Sequence, residues 1–146
     1  MPAALVGRRF HTRGHKMSDI TRYGKPKPGV GLPVSKAVEA DGWLYVTGQV
    51  PRNEKGELIV GGMIEQARLC FDNLLAVMAQ AGYEAKDLVR IGVWIDDPRD
   101  FPEFNKVFAQ YFEAEHAPAR VTIQSAMMCD CKVEVDAIAY KKPQGN

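Results

Sequence analysis

Residues 34–50 read VSKAVEADGWLYVTGQV, and our prediction of the fold starts from their pattern. Two runs of strand-forming residues, VSKAVEA and WLYVTGQV, are separated only by Asp41 and Gly42. An Asp-Gly pair between two such runs is a strong signal for a two-residue hairpin turn. The sequence therefore predicts a β-hairpin here, and upstream of it the proline- and glycine-rich segment KPKPGVGLP predicts an extended loop.

Downstream of the hairpin the pattern changes from strand to helix. Between Gly62 and Ala81 the apolar residues recur at helical spacing, and Gly82 is a typical C-terminal stop. The predicted apolar stripe consists of Ile64, Ala67, Phe71, Leu74, Leu75 and Met78. The segment DLVRIGVWID (87–96) is rich in β-formers and predicts a strand.

A second helix follows that strand. Asp100 and Glu103 have the spacing of a capping box, and Pro102 lies in the first turn, where proline is tolerated. An aromatic stripe at helical spacing predicts packing against the core rather than a cofactor site. It consists of Phe101, Phe104, Phe108, Tyr111 and Phe112.

Two more predicted strands, near residues 119–125 and 132–141, close the chain. The order of elements is then β-β-α-β-α-β-β, an α+β fold. A mixed sheet with both helices layered on one face is the simplest arrangement of these elements. The other face of the sheet would be bare, so we expect the subunit to oligomerise and cover it.

Composition limits the function classes. A chain of 146 residues, 46% apolar and 25% charged, is typical of one globular domain. A net charge of +1 gives no general argument for binding nucleic acid, and no apolar run is long enough to span a bilayer. The three cysteines indicate no disulfide framework, and the Cys129-x-Cys131 spacing does not fit a zinc site. We expect no metal and a reducing, cytoplasmic setting.

The first sixteen residues differ from the rest of the chain. They are basic, and no acidic residue precedes Asp19. We interpret residues 1–16 as an N-terminal extension that is dispensable, and residues 17–146 as a single domain that opens at Met17. A mitochondrial transit peptide has a similar composition, and this alternative stays open.

The candidate functional side chains lie on the last two predicted strands. Side chains alternate along a strand, so Arg120, Thr122 and Gln124 point one way, and Glu134 and Asp136 share one face of the final strand. A guanidinium and two carboxylates could therefore lie near one another at a sheet edge or cleft. The spacing of these three charged residues does not distinguish a structural ion pair from a catalytic group.

Five segments occur in the order found in one known family. They are YVTGQVP, EQARLCFDNLLAVMAQAG, IDDPRDFPEFNKVFAQYF, PAR and VEVDAIAY. From about residue 23 to residue 141 the chain resembles the RidA/YjgF family of enamine/imine deaminases, which are also known as L-PSP endoribonucleases. The resemblance implies a chorismate-mutase-like fold, a homotrimer with a central barrel of sheets, and sites in clefts between subunits.

The same resemblance implies roles for individual residues. Arg120 would bind the carboxylate of a 2-imino or 2-enamino acid, and Glu134 would position the water that hydrolyses it to a 2-keto acid and ammonia. Main-chain groups near Gly48 would supply further hydrogen bonds, and Asn105 matches an asparagine on the family's second helix. No cofactor is implied, because a protonated imine is already electrophilic.

The chain departs from the family pattern at three substrate-binding positions. Val34 replaces a tyrosine, Thr122 replaces a cysteine, and Met127 lies in a loop that differs from the usual one. Val34, Met127 and its neighbour Met128 predict a more apolar and adaptable pocket, and hence a larger or less common enamine as substrate.

Two other functions compete with the deaminase hypothesis. A non-catalytic trimer that binds small carboxylates, or acts as a holdase, would need the same arginine. A role in RNA cleavage or binding is disfavoured, because a net charge near zero and the lack of stacking aromatics beside a basic groove do not fit RNA recognition.

Overall fold

The computed structural model describes residues 20–143, which form one mixed sheet and two α-helices. The order of elements along the chain is β1 (Thr21–Tyr23), β2 (Ala37–Ala40), β3 (Trp43–Gln49), α1 (Met63–Gln80), β4 (Leu88–Ile95), α2 (Phe101–Tyr111), β5 (Ala119–Gln124) and β6 (Val133–Tyr140). The predicted α+β architecture is therefore confirmed. Within the described part of the chain no helix is both long and apolar enough to cross a membrane.

The β-hairpin predicted at Asp41 and Gly42 is present. β2 and β3 pair antiparallel, with Ala40 opposite Trp43, and the turn consists of Asp41 and Gly42. Both turn residues have positive φ, 51° for Asp41 and 80° for Gly42. That is the geometry of the two-residue turns whose twist matches the flanking strands, and it explains the Asp-Gly pair.

The sheet has six strands in the order β1-β2-β3-β6-β4-β5, one strand more than the predicted five. The extra strand β1 pairs antiparallel with β2, and the Tyr23 hydroxyl donates to the Glu39 carboxylate at 3.0 Å. Three residues are too few to show a period of two, so the sequence pattern does not reveal this strand. Every pairing is antiparallel except β4 with β5, which places β5 at a parallel edge.

Both helices lie on one face of the sheet, as predicted. Their buried side chains pack on inward-facing residues of the three central strands, such as Leu44, Ile91 and Val135, which have no measurable exposure. Phe71 of α1 lies at the centre of an aromatic cluster, 5.2–5.9 Å from the rings of Phe104, Phe108, Tyr111 and Phe112. The predicted stripes on both helices are therefore largely core.

The opposite face, which we call the open face, carries large apolar side chains that remain exposed. They are Trp43, Tyr45, Val121, Ile123 and Tyr140, with exposed fractions of 37–52%. This is the bare face expected from the order of elements. An exposed apolar surface on a folded subunit typically marks an interaction surface.

The predicted capping box of α2 is wrong. Asp100 precedes the helix, but its carboxylate makes no cap hydrogen bond and instead accepts from Lys132 Nζ at 2.9 Å. The reason is a short 3₁₀ turn, Pro98–Asp100, which leads into the helix and turns the Asp100 side chain towards β6. The expectations about residues 1–16 and Met17 lie outside the described residues.

Candidate active site

Arg120 lies on β5 and faces the helix layer. It pairs in register with Ile91 of β4, a fully buried core residue, and register partners on adjacent strands point to the same face. The Arg120 guanidinium carbon lies 5.6, 5.7 and 4.6 Å from the ring centroids of Phe101, Phe104 and Phe108. Aromatic rings attract cations through their negative faces, so α2 provides a platform for this side chain.

No carboxylate compensates the charge on Arg120 within residues 20–143. The ion pairs there involve other residues, and the hydrogen bonds include none from its guanidinium. Burial lowers the pKa of Arg120 below its ordinary value, yet a guanidinium stays charged in proteins. The residue is exposed at its edge strand, so this cation is free to receive an anion from solvent.

Thr122 lies two residues further along β5 and faces the same way. Its hydroxyl oxygen is shielded from solvent and has no hydrogen-bond partner among the described residues. The residue lines a cleft of about 180 Å³ with Ile95, Pro98, Phe101, Ile123 and Gln124. Asn105 follows Phe101 by one helical turn on α2 and is half-buried. Phe101 adjoins all three residues, and we call Arg120, Thr122 and Asn105 the arginine half-site.

Glu134 lies on the open face of the sheet. It pairs with Trp94 of β4, and its carboxylate packs against the backbone of Gly48 in β3. A methyl group at Gly48 would overlap Glu134 Oε1, so the glycine makes room for the carboxylate. Within residues 20–143 the Glu134 side chain takes part in no ion pair and no hydrogen bond. This carboxylate is available to a ligand or a water molecule.

A second cleft, of about 190 Å³, connects Glu134 to the loop before β6. Trp94, Ser125, Ala126, Met127 and Met128 line it with Glu134. Val34 is exposed on the loop before β2, and its neighbour Ser35 accepts a hydrogen bond from the Thr47 hydroxyl at 2.6 Å, next to Gly48. Glu134, Gly48, Met127 and Val34 form a second group, which we call the glutamate half-site.

The two half-sites do not meet within one chain, and this corrects the expectation that the guanidinium and the carboxylates lie near one another. β4 separates β5 from β6, and the registers on both sides of β4 put Arg120 on the helix face and Glu134 on the open face. The other carboxylate, Asp136, is already occupied. It accepts from the Gly92 backbone N–H at 3.1 Å and lies 3.8 Å from Arg90.

Two parts of these half-sites go beyond the predictions made from the sequence. The helical spacing of Phe101 and Phe108 predicts packing alone, although their rings also contact the Arg120 guanidinium. Trp94, which lines the cleft of the glutamate half-site, is not among the predicted site residues. Trp94 alternates with the buried Val93 and Ile95, and this alternation could have placed it on the face of Glu134.

A larger cleft, of about 340 Å³, lies elsewhere and contains none of these residues. Glu84, Lys86, Tyr111 and His116 are among its lining residues. Lys86, the lysine among its lining residues, is already paired, with its Nζ 2.9 Å from the Glu84 carboxylate, so the described lining of the cleft offers no cation comparable to Arg120 for binding an anion.

The described part of the chain has the fold of a small α+β protein, with an uncompensated guanidinium on one face of its sheet and an unpaired carboxylate on the other. The family described as Endoribonuclease L-PSP matches residues 26–141. A RutC family protein of Pyrococcus horikoshii is 39% identical over 119 residues, covering 80% of this chain and 92% of that protein. The chain therefore belongs to the RidA/YjgF family, which includes the L-PSP and RutC proteins.

One further relative has a name that states an activity, and one similar solved structure contains a bound small molecule. The mouse protein named 2-iminobutanoate/2-iminopropanoate deaminase is 34% identical over 113 residues, covering 76% of this chain and 83% of its own. The crystal structure of E. coli TdcF with bound serine superposes with a TM-score of 0.70 at 30% identity, covering 87% of this chain and 99% of that one. The sequence resemblance to the family is thus confirmed.

The contact between Gly48 and Glu134 leads to a test that does not depend on activity. Gly48→Ala should destabilise the protein by about 1 kcal/mol, because the new methyl must displace the Glu134 carboxylate from a packed position. In a Glu134→Ala background this cost should vanish, so the coupling energy between the two substitutions should be about 1 kcal/mol. The measurement is the free energy of unfolding in urea, with all variants at the same protein concentration. Asp136→Ala is the matched control and should show no coupling to Gly48→Ala. Equal costs in all three backgrounds would show that the contact is absent.

Proposed function

We propose that this protein is a cofactor-free hydrolytic deaminase of 2-imino and 2-enamino acids. The observation that carries the proposal is the uncompensated Arg120 guanidinium on its three-ring platform. A planar guanidinium binds a carboxylate through two parallel hydrogen bonds, and such a pair fixes the orientation of the ligand as well as its position. The name of the mouse relative supports an imine as the ligand.

We further propose that each complete site is formed by two copies of the chain. A ligand held by Arg120 lies on the helix side of the edge strand, whereas Glu134 of the same chain lies on the open face. A neighbouring copy that covers the open face could bring its own β5 edge, with Arg120, to this glutamate half-site. The exposed aromatic residues of the open face supply apolar area for such an interface. The assembly proposed is a homotrimer.

The reaction assigned to this site needs little from the protein. The substrate is a protonated imine, whose carbon already attracts electrons. Glu134 would accept a proton from a water molecule as the water oxygen adds to that carbon. The nitrogen of the adduct then takes up a proton and leaves as ammonia, and the carbinol oxygen loses its proton to give the 2-keto acid. Positioning by Arg120 and proton transfer by Glu134 are the two contributions asked of the side chains.

Two residues of the arginine half-site would complete the contacts to the substrate. The shielded Thr122 hydroxyl lacks a partner within residues 20–143, and an unpaired buried hydroxyl costs about 1–3 kcal/mol, so it would bind a polar group of the ligand. Asn105 could donate or accept beside it. Val34, Met127 and Met128 are apolar and would accept a substrate with a larger side chain than that of 2-iminopropanoate.

Replacing Arg120 should weaken substrate binding. Arg120→Ala should raise KM about tenfold or more, because a hydrogen bond to a charged group contributes about 1.5–3 kcal/mol and the carboxylate keeps its charge throughout the reaction. Arg120→Lys should recover little of the lost substrate affinity, since an ammonium cannot form two parallel hydrogen bonds to a carboxylate as a planar guanidinium does. The assay is hydrolysis of 2-iminopropanoate generated in solution, coupled to detection of pyruvate. Arg68→Ala is the control, because Arg68 lies on α1 and bonds to Gln110, and its KM should match the wild type.

Replacing Glu134 should act on turnover instead. Glu134→Gln keeps the size of the side chain but removes the proton acceptor, so kcat should fall about 10²-fold with little change in KM. Asp136→Asn is the matched control on the same strand, and it should keep kcat because Asp136 bonds to Gly92. Full activity of Glu134→Gln would mean that other groups position the water. Carboxylate binding that depends on Arg120 but without any turnover would favour the non-catalytic, carboxylate-binding alternative.

A further inference from the structure

The side chains of the three cysteines of the chain converge at the start of β6. None of them takes part in the substrate binding or the proton transfer proposed above. Cys129 Sγ lies 3.4 Å from Cys131 Sγ. The Cys131 thiol and the Cys70 thiol of α1 both donate to the Val133 carbonyl oxygen, each at 3.6 Å. All three are free thiols, so the cluster holds reducing groups that the proposed reaction does not use.

Local backbone geometry brings Cys129 and Cys131 together. The Cys131 N–H donates to the Cys129 carbonyl oxygen at 2.8 Å, which closes a three-residue turn around Asp130. The following residue is anchored, because the Lys132 N–H donates to the side-chain oxygen of the buried Gln66 at 2.7 Å. Bonded sulfurs lie about 2.0 Å apart, so the loop on the Cys129 side needs only a small movement to close the gap.

Cys129 and Cys131 differ in exposure to solvent, so that one thiol can meet an oxidant and the other can react with it afterwards. Cys129 is half-buried and within reach of a small solute, whereas Cys131 is buried. Burial, and then the hydrogen bond with Cys129, raise the pKa of Cys131 to about 12, so its thiolate is scarce at neutral pH. Burial also raises the pKa of Cys70, which has no exposed surface. Attack on an oxidant is therefore expected at Cys129, with Cys131 as the second thiol.

We propose that Cys129 and Cys131 form a redox-active dithiol that a hydroperoxide converts reversibly into a disulfide. The Cys129 thiolate attacks the peroxide O–O bond, takes one oxygen as a sulfenic acid and releases the other as an alcohol or water. The Cys131 sulfur then attacks the Cys129 sulfur, and the sulfenic oxygen leaves as water with the Cys131 proton. Two thiols are oxidised and one peroxide is reduced. A small dithiol reductant reverses the change.

The position of the pair gives the oxidation a local consequence. Met127 and Met128, just before Cys129, line the cleft that contains Glu134, and Glu134 itself follows Cys131 by three residues. A disulfide would fix the turn between these two walls of the cleft. The dithiol is thus a modification site on the wall of the glutamate half-site, and its chemistry does not depend on the reaction proposed there.

Peptide mapping of the full-length protein tests the proposal directly. The protein is treated with hydrogen peroxide at up to a few equivalents, denatured, alkylated with N-ethylmaleimide and digested with trypsin. Cleavage after Arg120 and Lys132 places Cys129 and Cys131 on one peptide (121–132) and Cys70 on another (69–86). We expect peptide 121–132 to lose two hydrogen atoms and take no alkyl group, and Cys70 to remain alkylated. A protease that cuts before Asp130 should leave the two halves joined until a reductant is added.

Met128 provides an internal competitor on the same peptide. It is 92% exposed, and its oxidation adds one oxygen atom instead of removing two hydrogens. We expect the dithiol to react before Met128. Cys129→Ser and Cys131→Ser should each abolish the loss of two hydrogens, and Cys70→Ser should preserve it. Sulfoxide at Met128 with both thiols still alkylated, or a disulfide that joins Cys70 to either cysteine, would overturn the proposal.

Discussion

The alternation of side chains across the sheet is the constraint on which the proposed site depends. Adjacent strands hold their side chains in register, so β4 fixes the faces on which both of its neighbours project their residues. Arg120 shares a face with Ile91, and Glu134 shares the other with Trp94. No rotamer change can carry either side chain through a hydrogen-bonded sheet. These opposite faces are the reason to propose that a site using both residues combines surfaces of two chains.

The same constraint explains why Arg120 can remain uncompensated. An arginine that faces a helix layer would normally require a carboxylate, because a buried unpaired charge is costly. Here the edge position of β5 keeps the guanidinium partly in water, and the rings of Phe101, Phe104 and Phe108 stabilise it without neutralising it. The described part of the chain thus keeps an uncompensated positive charge at the edge of the sheet. Within residues 20–143 the Glu134 carboxylate also lacks a partner, because Gly48 leaves space for it but forms no hydrogen bond with it.

Much of this could be predicted from the sequence, and the limits have physical reasons. The Asp-Gly turn and the helical stripe of α1 are local signals, so the hairpin and the two-helix layer followed from spacing alone. The face shared by Glu134 and Asp136 was also predictable, since it depends only on a period of two. The relative faces of β5 and β6 were not, because they depend on the register of both strands with β4, which is a tertiary property. The failed capping box at Asp100 has the same origin, since its partner Lys132 is distant in sequence.

Subunit complementation tests the two-chain site most directly. Arg120→Ala and Glu134→Gln, each of low activity alone, are unfolded, mixed in equal amounts and refolded together, and imine hydrolysis is measured at low substrate concentration. If Arg120 of one copy acts with Glu134 of another, random mixing at a cyclic interface restores about a quarter of the wild-type activity. Mixing Arg120→Ala with the double variant provides the control and should restore none. Activity no higher than the mean of the two parents, in a mixture shown to contain mixed assemblies, would rule out a site shared between Arg120 of one chain and Glu134 of another.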